Sequence, residues 1–112
     1  MERIYVNTGA EVRTIGELKF RMDAMGMTEF QKRVLLAVRS IKRGSTATYK
    51  QVAKAAGYPK AYRAVGTVLR GNPFPPFVPC HRVIRSDGSI GNYSGKGGIR
   101  AKRKLLISEG AL

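Results

Sequence analysis

The sequence predicts a mainly α domain with a small β element, organised around a helix-turn-helix. Three observations carry that expectation. Two Thr-x-x-Gln capping boxes, Thr28-Glu29-Phe30-Gln31 and Thr48-Tyr49-Lys50-Gln51, each open a run of residues patterned as a helix. A Gly57-Tyr58-Pro59 turn separates the second of these helices from a third, amphipathic one. Strand-like residues are few, with Val83-Ile84 the clearest pair. At 112 residues the chain makes one small domain, able to bury about two-thirds of its unfolded surface without disulfides or metal.

Residues 1–27 are mixed in charge, with an alternating stretch at Ile4-Tyr5-Val6 and glycines at Gly9, Gly16 and Gly26. They read as a strand or hairpin followed by a connector, ahead of a main domain over 28–112. From the first capping box, Phe30, Val34, Val38 and Ile41 share one apolar face, and Gly44 ends the helix. The second box opens a short helix through about Ala56. Pro59 suits the first position of the next helix, residues 60–70, where Ala61, Val65, Val68 and Leu69 form the apolar stripe. Lys60, Arg63, Thr67 and Arg70 lie on its opposite face, so the pair reads as a helix-turn-helix with a basic second helix, a pattern that other antiparallel helix pairs share.

Pro73, Pro75, Pro76 and Pro79 exclude a helix over 71–79 and make that segment a stiff loop leading to Cys80. Val83-Ile84 reads as a short strand and Ser86-Asp87-Gly88-Ser89 as a turn. The glycine-rich loop over 91–98 is no phosphate-binding P-loop: Gly97 follows Lys96 where Ser or Thr is needed, and Gly91 and Gly95 are one residue too close. A final Lys- and Arg-rich helix over 99–109 turns Leu105 and Leu106 inward.

Net charge is +14, from 21 Lys and Arg against 7 Asp and Glu. Between Glu29 and Asp87 every formal charge is positive. Solvated faces ordinarily mix both signs, so a window this long points to a polyanion, either nucleic acid or an anionic membrane surface. No apolar run approaches the roughly 18 residues of a membrane span, and the charged N-terminus does not read as a signal peptide, so an intracellular, cytoplasmic or nucleoid-associated protein is expected. A structural zinc site needs about four ligands, and one Cys with one His cannot supply them. Neither a metal nor a cofactor is expected.

Pro79-Cys80-His81-Arg82-Val83 sets that single cysteine beside that single histidine. A lone thiol is ordinarily an inert buried hydrophobe and a lone imidazole a structural hydrogen-bonding group. Side by side they are also candidates for a nucleophile and its base, because a thiol becomes strongly nucleophilic only once deprotonated. Sequence neighbours do not face each other on regular elements, so contact requires a turn at Pro79 or a bridging water.

With Phe30-Gln31, Thr48-Tyr49, Gly57, Pro59, Arg63-Ala64-Val65-Gly66, Asn72-Pro73, Gly91-Asn92-Tyr93-Ser94-Gly95, Leu105-Leu106 and Glu109-Gly110, this pentapeptide resembles the O6-alkylguanine-DNA alkyltransferases over roughly residues 28–110. The resemblance implies their winged-helix-like C-terminal domain and a single-turnover repair reaction in which an alkyl group moves from guanine, or from O4 of thymine, onto the protein's own cysteine. The partner would be double-stranded DNA bound through its minor groove, by a monomer.

The same resemblance implies residue roles. Cys80 is the nucleophile, His81 the base acting through water, Glu109 the carboxylate that holds the imidazole, Tyr49 a donor to the guanine ring, and Asn72 the brace of the active-site turn. Arg63 inserts into the duplex where the base is extruded, with Ala64 and Gly66 permitting close approach; Thr48, Lys60 and Arg70 face DNA, and Tyr93 and Ser94 wall the lesion pocket. Many family members carry a longer N-terminal domain, which residues 1–27 would represent as a remnant. Two other readings stand beside this one. A non-catalytic lesion sensor commonly replaces the cysteine, which Cys80 opposes; a transcription regulator ordinarily dimerises, and no heptad pattern supports that.

Overall fold

The computed structural model describes residues 12–91 and 97–112. In chain order the elements are α1 (Ile15–Ala24), α2 (Glu29–Arg39), β1 (Ala47–Thr48), α3 (Tyr49–Ala55), α4 (Tyr62–Arg70), a 3-10 turn (Cys80–Arg82), β2 (Val83–Ile84) and α5 (Gly98–Ser108). The mainly α character and the helix-turn-helix of α3 and α4 agree with the sequence pattern.

Helix α1 is a correction, since it occupies what the patterning reads as a connector. The Thr14 side chain accepts a hydrogen bond from the Glu17 amide, and Leu18 and Met22, one turn apart, are fully buried. Gly16 falls in the first turn, where tertiary burial of that Leu-Met pair outweighs its poor propensity. The strand expected at Ile4-Tyr5-Val6 lies outside the described residues.

Both capping boxes are formed. Thr28 exchanges hydrogen bonds with Gln31 at 2.8 and 3.1 Å, and Thr48 does the same with Gln51. Helix α2 buries Val34, Leu35 and Val38 but stops at Arg39, short of Gly44. Ser40 caps it, its hydroxyl bonding the Ala37 carbonyl, and Ile41 leaves the helix with its own carbonyl free for another partner described below. Helix α4 likewise starts at Tyr62 and not at residue 60. Pro59 and Lys60 form a turn, and Ala61 is the N-cap.

Helices α2, α3 and α4 pack on one another around Val34, Val38, Val52 and Val65, and the Phe30 ring meets the Tyr58 ring edge-on at 4.9 Å. The proline-rich loop after α4 closes this core by inserting Phe74 and Val78. Arg39 at the end of α2 stacks its guanidinium 4.4 Å from the Phe77 ring, holding the same loop from outside. Strand β2 pairs in parallel with β1, Ala47 opposite Val83 and Thr48 opposite Ile84. Helix α5 packs against the 3-10 turn. Its N-cap, Gly97, has φ +92°, and a Cβ there would sit 2.9 Å from the Ala101 side chain, so only glycine fits that entry.

Because Phe74 is 2% exposed, Phe74→Ala should cost about 3–5 kcal/mol, whereas Thr28→Ala should cost about 1 kcal/mol. Urea denaturation distinguishes the two; equal midpoints would mean that the loop does not close the core.

Candidate active site

Asn72 fixes the loop that carries the thiol. Its Nδ2 donates to the Val78 carbonyl at 3.0 Å, and its Oδ1 accepts from the Phe74 amide at 2.9 Å, so one side chain clamps both limbs of the proline-rich segment. The chain then enters the 3-10 turn, in which consecutive side chains diverge by about 120°. Cys80 reaches a cavity, while His81 and Arg82 both reach Glu109 at the end of α5. The turn expected at Pro79 is therefore present, and it separates the thiol from the imidazole's carboxylate partner.

His81 Nε2 lies 2.8 Å from Glu109 Oε2. Arg82 donates from Nε to Glu109 Oε1 at 2.9 Å and from Nη2 to Oε2 at 3.0 Å, and its Nη1 donates to the Ile41 carbonyl at 2.8 Å. The Arg82 hydrogen bonds, with the weaker help of His81, hold the Glu109 carboxyl down at about 2. Glu109 is thus an ionised acceptor, His81 Nε2 carries the proton it donates, and the basic nitrogen of the neutral ring is Nδ1.

Burial pushes the Cys80 thiol up; the Asn72 side chain and the positive charge of Lys102 oppose that rise. Lys102 is fully buried, and its Nζ donates to the Val83 carbonyl at 2.6 Å. Burial pushes its ammonium down to about 8, partly offset by attraction to Cys80. Lys102 therefore stays mostly protonated at pH 7, a cation set to favour the thiolate.

The cavity in front of Cys80 measures about 620 Å³, with Tyr49, Gly66 and Leu69 on its walls and Lys50, Arg63, Arg70 and Arg85 adding positive charge. That volume suits a small-molecule-sized group such as one base. Burial pushes the Tyr49 phenol up, while Arg85 and Arg70 pull it down.

Residues 29–111 match the family described as 6-O-methylguanine DNA methyltransferase, DNA binding domain. The chain belongs to this family. It is 53% identical over 90 residues to a methylated-DNA--protein-cysteine methyltransferase of Methanothermobacter thermautotrophicus, covering 80% of this chain and 48% of that one. The chain thus spans about half the length of that relative. A crystal structure of Mycobacterium tuberculosis OGT in complex with DNA is 44% identical with a TM-score of 0.70, over 75% of this chain and 51% of that one. S. pombe Atl1, in complex with damaged DNA containing O6-carboxymethylguanine, is 34% identical with a TM-score of 0.66, over 75% and 78%.

Of the residues singled out by resemblance to the methyltransferase family, Cys80, Tyr49, Arg63, Gly66 and Arg70 meet at the cavity, and His81, Glu109 and Asn72 stand behind it. Ala64 and Lys60 are exposed but do not line it. Thr48 is half-buried, its hydroxyl oxygen accepting from the Gln51 amide. Tyr93 and Ser94 lie outside the described residues. Sequence reasoning missed Arg82, Lys102 and Arg85. Position 102 is one helical turn from Leu106, so the inward face was legible although a lysine there was not an expected core residue. Among the described residues no group of three or more His, Cys, Asp or Glu could hold a metal ion, and no helix is long and apolar enough to cross a membrane.

Glu109 stabilises the fold fully above its unfolded value of 4.5, and that contribution is lost as pH falls through about 2. Glu109→Gln should flatten the acid-side decline in stability across that window and lower stability at pH 7 by about 1.5–3 kcal/mol; an unchanged slope would refute the ionic anchor. Lys102→Met should move iodoacetamide alkylation of Cys80 to higher pH, each unit lowering the thiolate fraction near neutrality about tenfold. An unmoved profile would show that Lys102 does not act on the thiol.

Proposed function

We propose that this chain is a single-turnover DNA repair alkyltransferase domain that moves the alkyl group of O6-alkylguanine, or of O4-alkylthymine, in double-stranded DNA onto Cys80. The observation that carries this reading is the placement of the chain's one thiol on the wall of a cationic cavity, backed by His81 on an ionised Glu109. Family membership and the likeness to a DNA-bound relative support it.

The domain binds the minor groove as a monomer through α4, whose exposed Arg63 and Arg70 border the cavity. Guanine O6 is inaccessible in the stack, so the base must be extruded, and Arg63 fills the gap it leaves. Thr48, Lys60, Ala64 and Gly66 complete the surface against DNA, and Tyr93 and Ser94 the lesion pocket. His81 takes the Cys80 proton through a water, and Glu109 stabilises the imidazolium that results. The sulfur attacks the alkyl carbon: an S–C bond forms and the C–O6 bond breaks. Guanine leaves with the electron pair and takes up one proton, with Tyr49 as its donor, so base and protein end neutral. The thioether has no route back to thiol, and each chain acts once.

Intact mass spectrometry after incubation with a duplex carrying O6-methylguanine should show one added methyl group, absent from Cys80→Ala. DNA binding without an adduct would instead favour a lesion sensor. Arg63→Ala should slow transfer at least about tenfold through lost extrusion, while Cys80 keeps its reactivity toward iodoacetamide; transfer and affinity for damaged duplex both unchanged would remove Arg63 from this role. Glu109→Gln should slow transfer about a hundredfold with a smaller effect on DNA affinity. Equal losses in both would remove the carboxylate from the transfer step.

A further inference from the structure

The described carboxylates are all engaged elsewhere than on the outer face of α5. Glu17 accepts from the Arg13 amide, Asp23 from Lys32, Glu29 from Arg33, Asp87 from the Ser89 amide and Glu109 from His81 and Arg82. On α5, Arg100, Arg103 and Lys104 are exposed, and their three- and four-residue spacing puts them on one side of the helix. Among the described residues none of these three makes an ion pair.

This face borders a second recess, of about 440 Å³, lined by Ile99 and Arg103 of α5 and by Arg85, Gly88 and Ser89 of the segment after β2. Arg85 and Ile99 also line the cavity in front of Cys80, so the two hollows are continuous. Helix α4 lines only the first of them. Exposed Asp87 acts on Arg85 without forming an ion pair to it, and the Arg85 charge already disfavours the Lys102 ammonium. Unpaired cations gathered at the edge of one hollow repel each other, and a polyanion that displaces their counterions relieves that repulsion.

Continuity with the cavity identifies the polyanion. A nucleotide turned out of a duplex swings about its own backbone, which carries the phosphates on either side of it to the mouth of the pocket that receives the base. Arg63 and Arg70 of α4 stand at one side of that mouth, and the recess opens at the other. Guanidinium groups match phosphate oxygens with two parallel donors. An acidic protein would match the charge but not the position beside a base-sized cavity.

We propose that Arg85, Arg103 and the adjoining cations of α5 form a second phosphate-binding surface, separate from α4, that grips the backbone of the lesion-bearing strand beside the extruded nucleotide. This rests on the alkyl-transfer reading above, because only an extruded base brings that backbone to the cavity mouth. The strand is then held on both sides of the mouth, and the extruded form is favoured over the stacked one.

The test measures binding to a duplex carrying O6-methylguanine across a range of salt concentrations, with Cys80→Ala in every variant of the full chain so that the complex persists. Each phosphate contact contributes about 0.9 to the slope of log K against log salt. Arg103→Gln should therefore reduce the slope by about 0.9 and weaken binding about tenfold near 0.1 M salt, whereas Arg103→Lys should retain most of both. Lys19→Gln makes the same change in net charge on α1, which lines neither hollow, and should leave the slope as it is. Uncharged methylphosphonate linkages placed singly along the lesion strand locate the contact: one beside the lesion should weaken binding by the chain that keeps Arg103 and not by Arg103→Gln. An unchanged slope in Arg103→Gln, an equal fall in Lys19→Gln, or the lack of any linkage beside the lesion that distinguishes the two chains overturns the inference; the first is what an acidic protein partner for this face would give. Absence of methyl transfer to the wild-type chain from the same duplex would instead overturn the underlying reading.

Discussion

One carboxylate ties three parts of the chain together. Glu109, at the end of α5, accepts hydrogen bonds from His81 and from two nitrogens of Arg82, and Arg82 extends the connection to the Ile41 carbonyl beyond α2. Helix α2, the 3-10 turn and α5 are therefore locked by one small ionic network. Such a network is stable only if every member is satisfied, because a buried charge without a partner costs more than its pair contributes. The bidentate Arg82 contact is the dominant cause of Glu109 staying ionised, and so of His81 presenting a fixed tautomer. Anchorage of the fold and orientation of the His81 ring rest on the same bonds.

Around this anchor the site holds two opposing electrostatic tendencies. Burial disfavours the thiolate of Cys80 and the ammonium of Lys102 alike, yet each favours the charged form of the other. Lys102 donates to the Val83 carbonyl, so the strand after Cys80 also holds this cation in place. The Cys80 thiol is thus shielded from solvent while a buried cation opposes the loss of its thiolate. The Asn72 clamp contributes rigidity from the other side, because a stiff proline loop positions Cys80 only if its two limbs are held.

Much of this was legible in the residues. The two capping boxes, the exposed Arg63 and Arg70 of α4 and the pairing of His81 with Glu109 are local or family-patterned signals, and the structure contains each. Helix α1 was obscured by glycines and mixed charge; its Leu18-Met22 pair becomes decisive only against the rest of the core. The start of α4 and the end of α2 were misplaced because Pro59 and Gly44 mark turns near the helices and not their termini. Strand β1 had no signal of its own, since two residues form a strand only through their partner β2.

The sequence by itself determined the helical pattern, the positive charge and the placing of one cysteine beside one histidine, because each depends on residue type and on spacing within a few residues. Tertiary structure alone decided where the basic side chains around Cys80 go. Arg82, Lys102 and Arg85 look in sequence like three more members of a basic surface. The fold places one on a carboxylate, one inside the core behind the thiol and one on the cavity wall. The electrostatic effect of a charge depends on distance and on the water around it, and neither exists until distant segments pack together.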